Sequence, residues 1–211
     1  MDRQVEQPSP VMRQEETPLG TVVVEGPASP GHLTGLSMND CLTNFRPPER
    51  QKQALIEIAG LDPGMVFIAR NGEEIVGYVT FHEPDSFTRW IKHPRVVELG
   101  GIEVSREWRQ AHVGGKLIVA AFSFPALEDY IVITTEYCWH WDLRGTNMEM
   151  WEYRKMLTNL FGKAGMVMKP TDDPDINEHP ANVLMARIGA NVSASDALIF
   201  EEMLFDEKRF Y

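Results

Sequence analysis

Between Val97 and Tyr137 the chain reads apolar segment, short loop, apolar helix, apolar segment, and this succession leaves few folds open. Val97 to Ser105 is β-branched and aliphatic apart from Glu98, Glu103 and the pair Gly100-Gly101. It reads as a buried strand whose glycines indicate a bulge. Arg106 to Arg109 are polar except for Trp108. Gly114-Gly115-Lys116 then opens the run Leu117 to Phe122, whose length and alanines favour a helix buried nearly all round, with Pro125 ending it. Tyr130 to Tyr137 is a second buried strand, and a strand-helix-strand crossover makes it parallel to the first. A strand, a glycine loop and a helix start form an anion site: the first N–H groups of a helix have no intrahelical acceptor, and the dipole there favours negative charge.

The motif narrows the choice of anion. A Walker A loop needs glycine five residues before the Gly-Lys pair and Ser or Thr after it; Gln110 and Leu117 stand there, which excludes a P-loop. The dinucleotide pattern G-x-G-x-x-G is absent as well. What stands after the strand ending Ile102-Glu103-Val104 is Arg109-x-x-His112-x-Gly114-Gly115-Lys116-Leu117. This resembles the coenzyme A-binding motif of the GNAT acetyltransferases, R/Q-x-x-G-x-G/A, with His112 at the place of the first glycine. On the motif alone, a purely structural strand-turn-helix stays open.

With 211 residues, 43% of them hydrophobic, the chain can fill one core and carry a tail. Thirty-one acidic against twenty basic residues give a net charge of −11. That balance opposes nucleic acid and anionic lipid surfaces and suits a basic partner surface, though acidity also serves solubility. Cys41 and Cys138 are too few for a disulfide framework, and no apolar run reaches membrane length. The expectation is a cytoplasmic protein of open oligomeric state.

In chain order, Met1 to Pro18 is rich in Pro, Gln and Glu and reads as a disordered tail, with the folded domain over 19–211. Thr21 to Glu25 is a strand stopped by Gly26-Pro27, and Pro30 to Phe45 is irregular and helical. Glu49 to Ala59 is an amphipathic helix closed by Gly60. Met65–Arg70 and Glu74–Phe81 flank Asn71-Gly72, a strong hairpin signal. After the second buried strand come a helix over Asn147–Ala164, a strand from Gly165, an acidic loop from Pro170 to Pro180, and a short helix over Val183–Ile188. A helix over Asp196–Glu202, capped by Ser193 or Ser195, precedes a last strand from Leu204 to Tyr211.

This order is that of the GNAT fold. The resemblance narrows, over nearly everything after Pro18, to the acetoin-utilization acetyltransferases of Gram-positive bacteria, through Phe45-Arg46-Pro47-Pro48, Leu99-Gly100 to Val104, Ile133 to Tyr137, Trp139 to Leu143, Trp151 to Met156, Thr171 to Pro174 and His179 to Asn182. It implies an α/β (α+β) fold with a mixed, mostly antiparallel sheet, a splayed parallel strand pair and flanking helices. It further implies acetyl-CoA as donor, with no metal, held by Ile102, Val104, Arg109, Gln110, Ala111, His112, Val113, Gly114, Gly115 and Lys116. The implied acceptor is a protein lysine, that of acetyl-CoA synthetase, whose acetylation switches the synthetase off. A non-catalytic acyl-CoA-sensing partner of the synthetase and an enzyme acting on a small amine are the alternatives.

Acetyl transfer to a lysine needs a base, because the free amine has a pKa of about 10.4. Glu98 matches the position at which several lysine-directed GNAT enzymes carry a glutamate base, and burial would raise its pKa toward the working range. Glu103, five residues on, points to the opposite face unless a bulge intervenes, and reads as structural. The oxyanion donor is a backbone N–H near Ile102 to Val104. Many relatives protonate the leaving thiolate with a tyrosine; Phe161 stands there, with Tyr137 and Tyr153 as substitutes. Tyr137, His140, Asp142, Asp172 and Asp173 are assigned to the acceptor side, in acid-rich loops that would attract a basic surface. Strand alternation over Cys138, His140 and Asp142 could imitate a nucleophile triad, but same-face neighbours sit roughly 7 Å apart, too far for a nucleophile and its base. A metal site from His140, Asp142, Asp172, Asp173 and His179 lacks ligand spacing.

Overall fold

The computed structural model of the protein describes residues 9–205. In chain order the elements are β1 (Val11–Thr17), β2 (Gly20–Gly26), α1 (Pro30–Gly35), β3 (Ser37–Met38), α2 (Pro48–Ala59), β4 (Gly64–Asn71), β5 (Glu74–His82), β6 (Val96–Val104), α3 (Val113–Ala121), β7 (Ile131–Glu136), α4 (Leu143–Thr146), α5 (Met150–Gly162), β8 (Val167–Lys169), α6 (Pro174–Asn177), β9 (Val183–Ile188) and α7 (Ala194–Met203). The strands join in one sheet of order β1-β2-β4-β5-β6-β7-β9-β8, with β3 added parallel to β5. Along the main path only β6 and β7 run parallel, as the crossover through α3 requires.

Three expectations are corrected. Residues 11–17, assigned to a disordered tail, form β1 and pair along their whole length with β2; the alternation Val11, Arg13, Glu15, Thr17 on the half-buried side gives the segment a face to bury. Residues 1–8 of that tail lie outside the described residues. Val183–Ile188, read as a helix, is β9, antiparallel to both β7 and β8. Leu, Met and Ala favour a helix locally, but a six-residue apolar run between two strands gains more from ladder pairing and burial than from propensity. Leu204 caps α7 and does not begin a strand; residues 206–211 lie outside the described residues.

The sheet is covered on both faces. On one, α3 sets Val113, Leu117, Ile118, Ala120 and Ala121 against Val24, Phe67, Val79 and Val97, with Leu157 and Phe161 of α5 beside it. Each such large side chain stabilises the fold by about 1.5–3 kcal/mol on burial. On the other face, α1 and α2 bury Leu33 and Leu55 on Val66, Ile68, Ile75 and Tyr78, and α7 sets Phe200 with Trp90 against Ile131, Ile133 and Leu184.

Strand β6 carries the feature that positions the site. Thr80 pairs with Gly101 and Phe81 with Leu99, so Gly100 is the extra residue of a bulge. A Cβ at Gly100 would overlap the imidazole of His82, which takes the space glycine leaves. The bulge also resets parity. Glu98 pairs with His82 and Glu103 with Tyr78, two residues of the same face of β5, so both glutamates project from one face of the sheet. Beyond Glu98 the partnership ends: β7 pairs only with Val96, Val97 and Glu98. From Leu99 onward the edge toward β7 has no ladder partner, Leu99 O accepting from the side chain of Thr134 at 3.2 Å, and the two parallel strands splay.

Candidate active site

On the α3 face, a cleft of about 870 Å³ opens beside the outer half of β6. Ile102 and Val104 line it from the strand, Arg109, Gln110, His112, Gly114 and Gly115 from the loop and the start of α3, and Tyr153, Met156, Leu157 and Leu160 from α5. The α5 residues recur at three- and four-residue steps, one stripe of a helix.

The loop is built to present backbone. His112 adopts the left-handed conformation (φ 59°, ψ 25°) immediately before α3, the turn for which a glycine is usual. No side chain caps α3, and Lys116 N is the first to reach back, to His112 O at 3.3 Å. The N–H groups ahead of it have no acceptor within the helix. A Cβ on Gly114 would meet only Val104 Cγ2 at 3.6 Å and Leu160 Cδ1 at 3.8 Å, ordinary contacts that leave no steric demand for glycine from the protein itself. The glycine leaves its backbone uncovered toward the cleft that it lines.

Arg109 donates through Nε to Val104 O (3.1 Å) and through Nη2 to Asp142 (2.9 Å), while its buried Nη1 has no partner among the described residues. A buried guanidinium nitrogen without an acceptor is costly unless a ligand supplies one. These three features, uncapped amides, side-chain-free glycines and an orphaned cationic donor, fit the pyrophosphate of a coenzyme A thioester.

Glu98 stands on the opposite face, where the strands separate. Thr135 Oγ1 donates to its carboxylate at 2.6 Å. Burial raises its pKa above the usual carboxylate value; the Thr135 hydrogen bond and the charge of His82 act the other way, and Asp85 adds a smaller upward push. Glu103 differs: it is 5% exposed and accepts from Tyr78 Oη (2.7 Å) and from Asn44 N (2.8 Å). Glu136, on the α3 face of β7, accepts from Thr134 Oγ1 (3.1 Å) and Trp141 Nε1 (3.3 Å). Burial raises its pKa as well.

The remaining predicted residues divide. Val113 is fully buried, so only its backbone can serve an anion. Ala111 and Lys116 face a neighbouring hollow, where Lys116 is paired with Glu15 of β1. Asp142, which also lines the cleft, binds Arg109 and caps α4 through Gly145 N (2.8 Å). Asp172 and Asp173 engage Arg89, at 2.6 and 3.9 Å, and Asp173 also caps α6; the cluster is braced by its own cation. Tyr137 stacks on Trp139 with centroids 5.0 Å apart, His140 at its edge. Burial pushes the Tyr137 phenol up to about 12, with Asp173, Asp175 and Glu98 adding to it. Cys138 to His140 is a 3-10 turn, not a strand, so the alternation proposed for Cys138, His140 and Asp142 does not exist. Phe161, the residue aligned with the usual tyrosine acid, is wholly buried in the core; Tyr153 is the phenol on the cleft wall. Thr135, Asn44 and Lys163 were not singled out in the sequence. The α5 stripe within the expected Asn147–Ala164 helix was the signal that could have found that wall. Among the described residues no group of three His, Cys, Asp or Glu could hold a metal ion, and no helix is long and apolar enough to cross a membrane.

A splayed parallel pair with a glycine loop and an uncapped helix at its mouth defines an acyl-coenzyme A transferase site. The model of the acetyltransferase (GNAT) family matches residues 36–136. The acetoin utilization protein AcuA of Bacillus licheniformis is 46% identical over 201 residues, which cover 94% of this chain and 96% of that protein. Its counterpart in Bacillus subtilis is 44% identical, over 93% and 94%. The crystal structure of an acetoin utilization protein from Exiguobacterium sibiricum superposes with a TM-score of 0.92 at 42% identity, over 98% of each chain. The chain belongs to the GNAT acetyltransferases, and to the group within them that the acetoin utilization proteins form. It is an N-acetyltransferase by fold and family.

Proposed function

We propose that the protein transfers acetyl from acetyl-CoA to a lysine side chain of a protein in acetoin and acetate metabolism, acetyl-CoA synthetase being the target, and so switches that target off. The observation that carries this reading is Glu98: a half-buried carboxylate whose desolvation raises its pKa, at the point where β6 and β7 part, on the face opposite the coenzyme cleft. A donor threaded through the splay from the α3 face would bring its thioester to the open edge of β6. The acceptor arrives from the Glu98 side.

In this reading Glu98 takes a proton from the lysine ammonium, the freed amine attacks the thioester carbonyl carbon, and the C–S bond breaks as a proton left on nitrogen passes to the departing thiolate, so that coenzyme A leaves as its thiol. Backbone N–H groups on the open edge of β6 lie where negative charge builds on the carbonyl oxygen. Glu98, Asp85, Asp173 and Asp175 all bear on this side and would draw a cationic side chain in. Both described cysteines are free, in keeping with a cytoplasmic setting.

The test is mass spectrometry of acetyl-CoA synthetase incubated with acetyl-CoA and this protein. A lysine carrying one added acetyl group, absent without the protein and much reduced with Glu98→Gln, is the expected result. Coenzyme binding without any acetylation of the synthetase would leave the coenzyme-sensing reading in its place.

A further inference from the structure

Strand β1 lies outside the residues that the family model matches, and it builds a second cavity. This hollow, about 630 Å³, is lined by Arg13, Glu15, Thr17, Lys116, Val119 and Lys163. It meets the coenzyme cleft along a shared wall of Gln110, His112, Gly115 and Lys163. The cleft has two directions. Inward, Ile102 and Val104 lead to the strand splay; outward, past the start of α3, it continues into the hollow under β1.

The hollow is cationic in a chain of net charge −11. Arg13, Lys116 and Lys163 supply three positive charges to its lining. Glu15 pairs with Lys116, while Glu16 lies on the exposed face of β1 and its carboxylate is engaged by Thr21 Oγ1 at 2.9 and 3.0 Å. Arg13 shares its side of the strand with Glu15, because residues two apart on a strand project from one face. Glu15 and Glu16 set two carboxylates of the lining against its three cations, and with Glu16 turned to the exposed face, a second anion group entering beyond the pyrophosphate meets a lining that is still net positive.

We infer that β1 forms a phosphate-reading subsite in which Arg13, with Lys163 and Lys116, binds the 3′-phosphate of the coenzyme's adenosine end. The inference rests on the coenzyme occupying the cleft as proposed above. That phosphate separates coenzyme A from its dephospho form and from other adenosine-bearing metabolites. The strand then works as a selectivity clasp that also holds the anion loop through the Glu15–Lys116 pair.

Calorimetry on the full chain with coenzyme A and with 3′-dephospho-coenzyme A tests this. The wild type should prefer coenzyme A at least tenfold. Arg13→Gln should cut that preference to less than a third of its wild-type value while leaving dephospho-coenzyme affinity within twofold, and Arg13→Lys should restore part of it. Adenosine 3′,5′-bisphosphate should compete with coenzyme A better than AMP does, and lose that advantage in Arg13→Gln. Equal binding of both coenzymes by the wild type, or an undiminished preference in a folded Arg13→Gln, would overturn the subsite and leave the coenzyme cleft standing. Failure of the wild type to bind either coenzyme would overturn the cleft reading and the subsite together.

Discussion

Glu98 and Glu103 sit on one strand and project from one face of the sheet, yet their surroundings give them different work. Glu103 is held from two sides, by the Tyr78 hydroxyl and the Asn44 amide, and ties the Asn44 loop to the sheet. Glu98 has a single hydrogen bond from Thr135 and a neighbouring strand that turns away after pairing with it. A carboxylate satisfied on both oxygens is a brace. One that is half-buried, holds a single donor and stands where the strands part is poised to take up a proton.

The sharpest way to break this comparison is to make the two carboxylates into amides. Glu98→Gln should lower turnover by roughly 10² to 10⁴, the usual range for loss of a general base, with coenzyme affinity nearly unchanged. Burial raises the pKa of Glu98, and this fixes the sign of two pH effects. The wild-type rate should climb as pH rises through that raised value, and the climb should vanish in the variant. A group whose folded pKa lies above its unfolded one favours folding fully below the unfolded pKa, and this benefit is lost as pH rises through the folded one. Glutamine escapes the loss, so the variant's Tm should gain on the wild type as pH increases. Wild-type turnover in Glu98→Gln would refute the assignment.

Glu103→Gln should do the reverse. The amide oxygen can still accept from Asn44 N and the NH2 group can donate to the Tyr78 hydroxyl, so two charge-assisted hydrogen bonds become neutral ones, at a cost of about 1 kcal/mol. Denaturant unfolding should register that loss, while turnover stays within tenfold of wild type. A thousandfold fall in turnover with unchanged stability would transfer the catalytic role to Glu103.

On the donor side, Gly114→Ala separates what the protein needs from what the ligand needs. Val104 and Leu160 can receive the methyl at ordinary distances, and alanine suits a helix better than glycine. The fold should therefore hold, with a Tm equal to or above wild type. Coenzyme affinity should drop at least tenfold, about 1.4 kcal/mol, because the methyl stands where a pyrophosphate must touch backbone. Unchanged affinity by calorimetry would remove the anion from this loop.

Much of this arrangement was legible in the sequence, and the exceptions have common physical causes. The parallel pair, the Asn71-Gly72 hairpin and the bulge were readable because each depends on neighbours in sequence: a crossover length, a turn type, a glycine pair. The shared face of Glu98 and Glu103 was undecidable until the bulge was localised to Gly100, since one extra residue inverts every side chain beyond it. Strand β9 was misread because its edges are set by β7 and β8, far away in the chain. The ion pairs of Asp142, Asp172 and Asp173 could not be read from the sequence, because Arg109 and Arg89, their partners, are 33, 83 and 84 residues distant. Long-range ion pairing leaves no local trace.

His112 is the smallest test of the comparison between loop and strand, and it concerns a departure that the sequence made conspicuous. At the place of the first glycine in the motif R/Q-x-x-G-x-G/A, this chain holds an imidazole-bearing residue at φ 59°, a conformation that costs an L-residue roughly 1–2 kcal/mol. His112→Gly should recover that strain, less the roughly 0.5–1 kcal/mol by which glycine's flexibility favours the unfolded chain. The net gain of about 0.5–1 kcal/mol should raise Tm by roughly 1–4 °C for a chain of this size. Coenzyme affinity should change by less than about threefold, because the turn is already in the geometry a glycine would give it and the binding groups are the amides beyond. A large gain in affinity on His112→Gly would show instead that the imidazole crowds the anion, and a large loss that His112 is itself a ligand of the phosphates, either of which would move the recognition of the coenzyme from backbone to side chain.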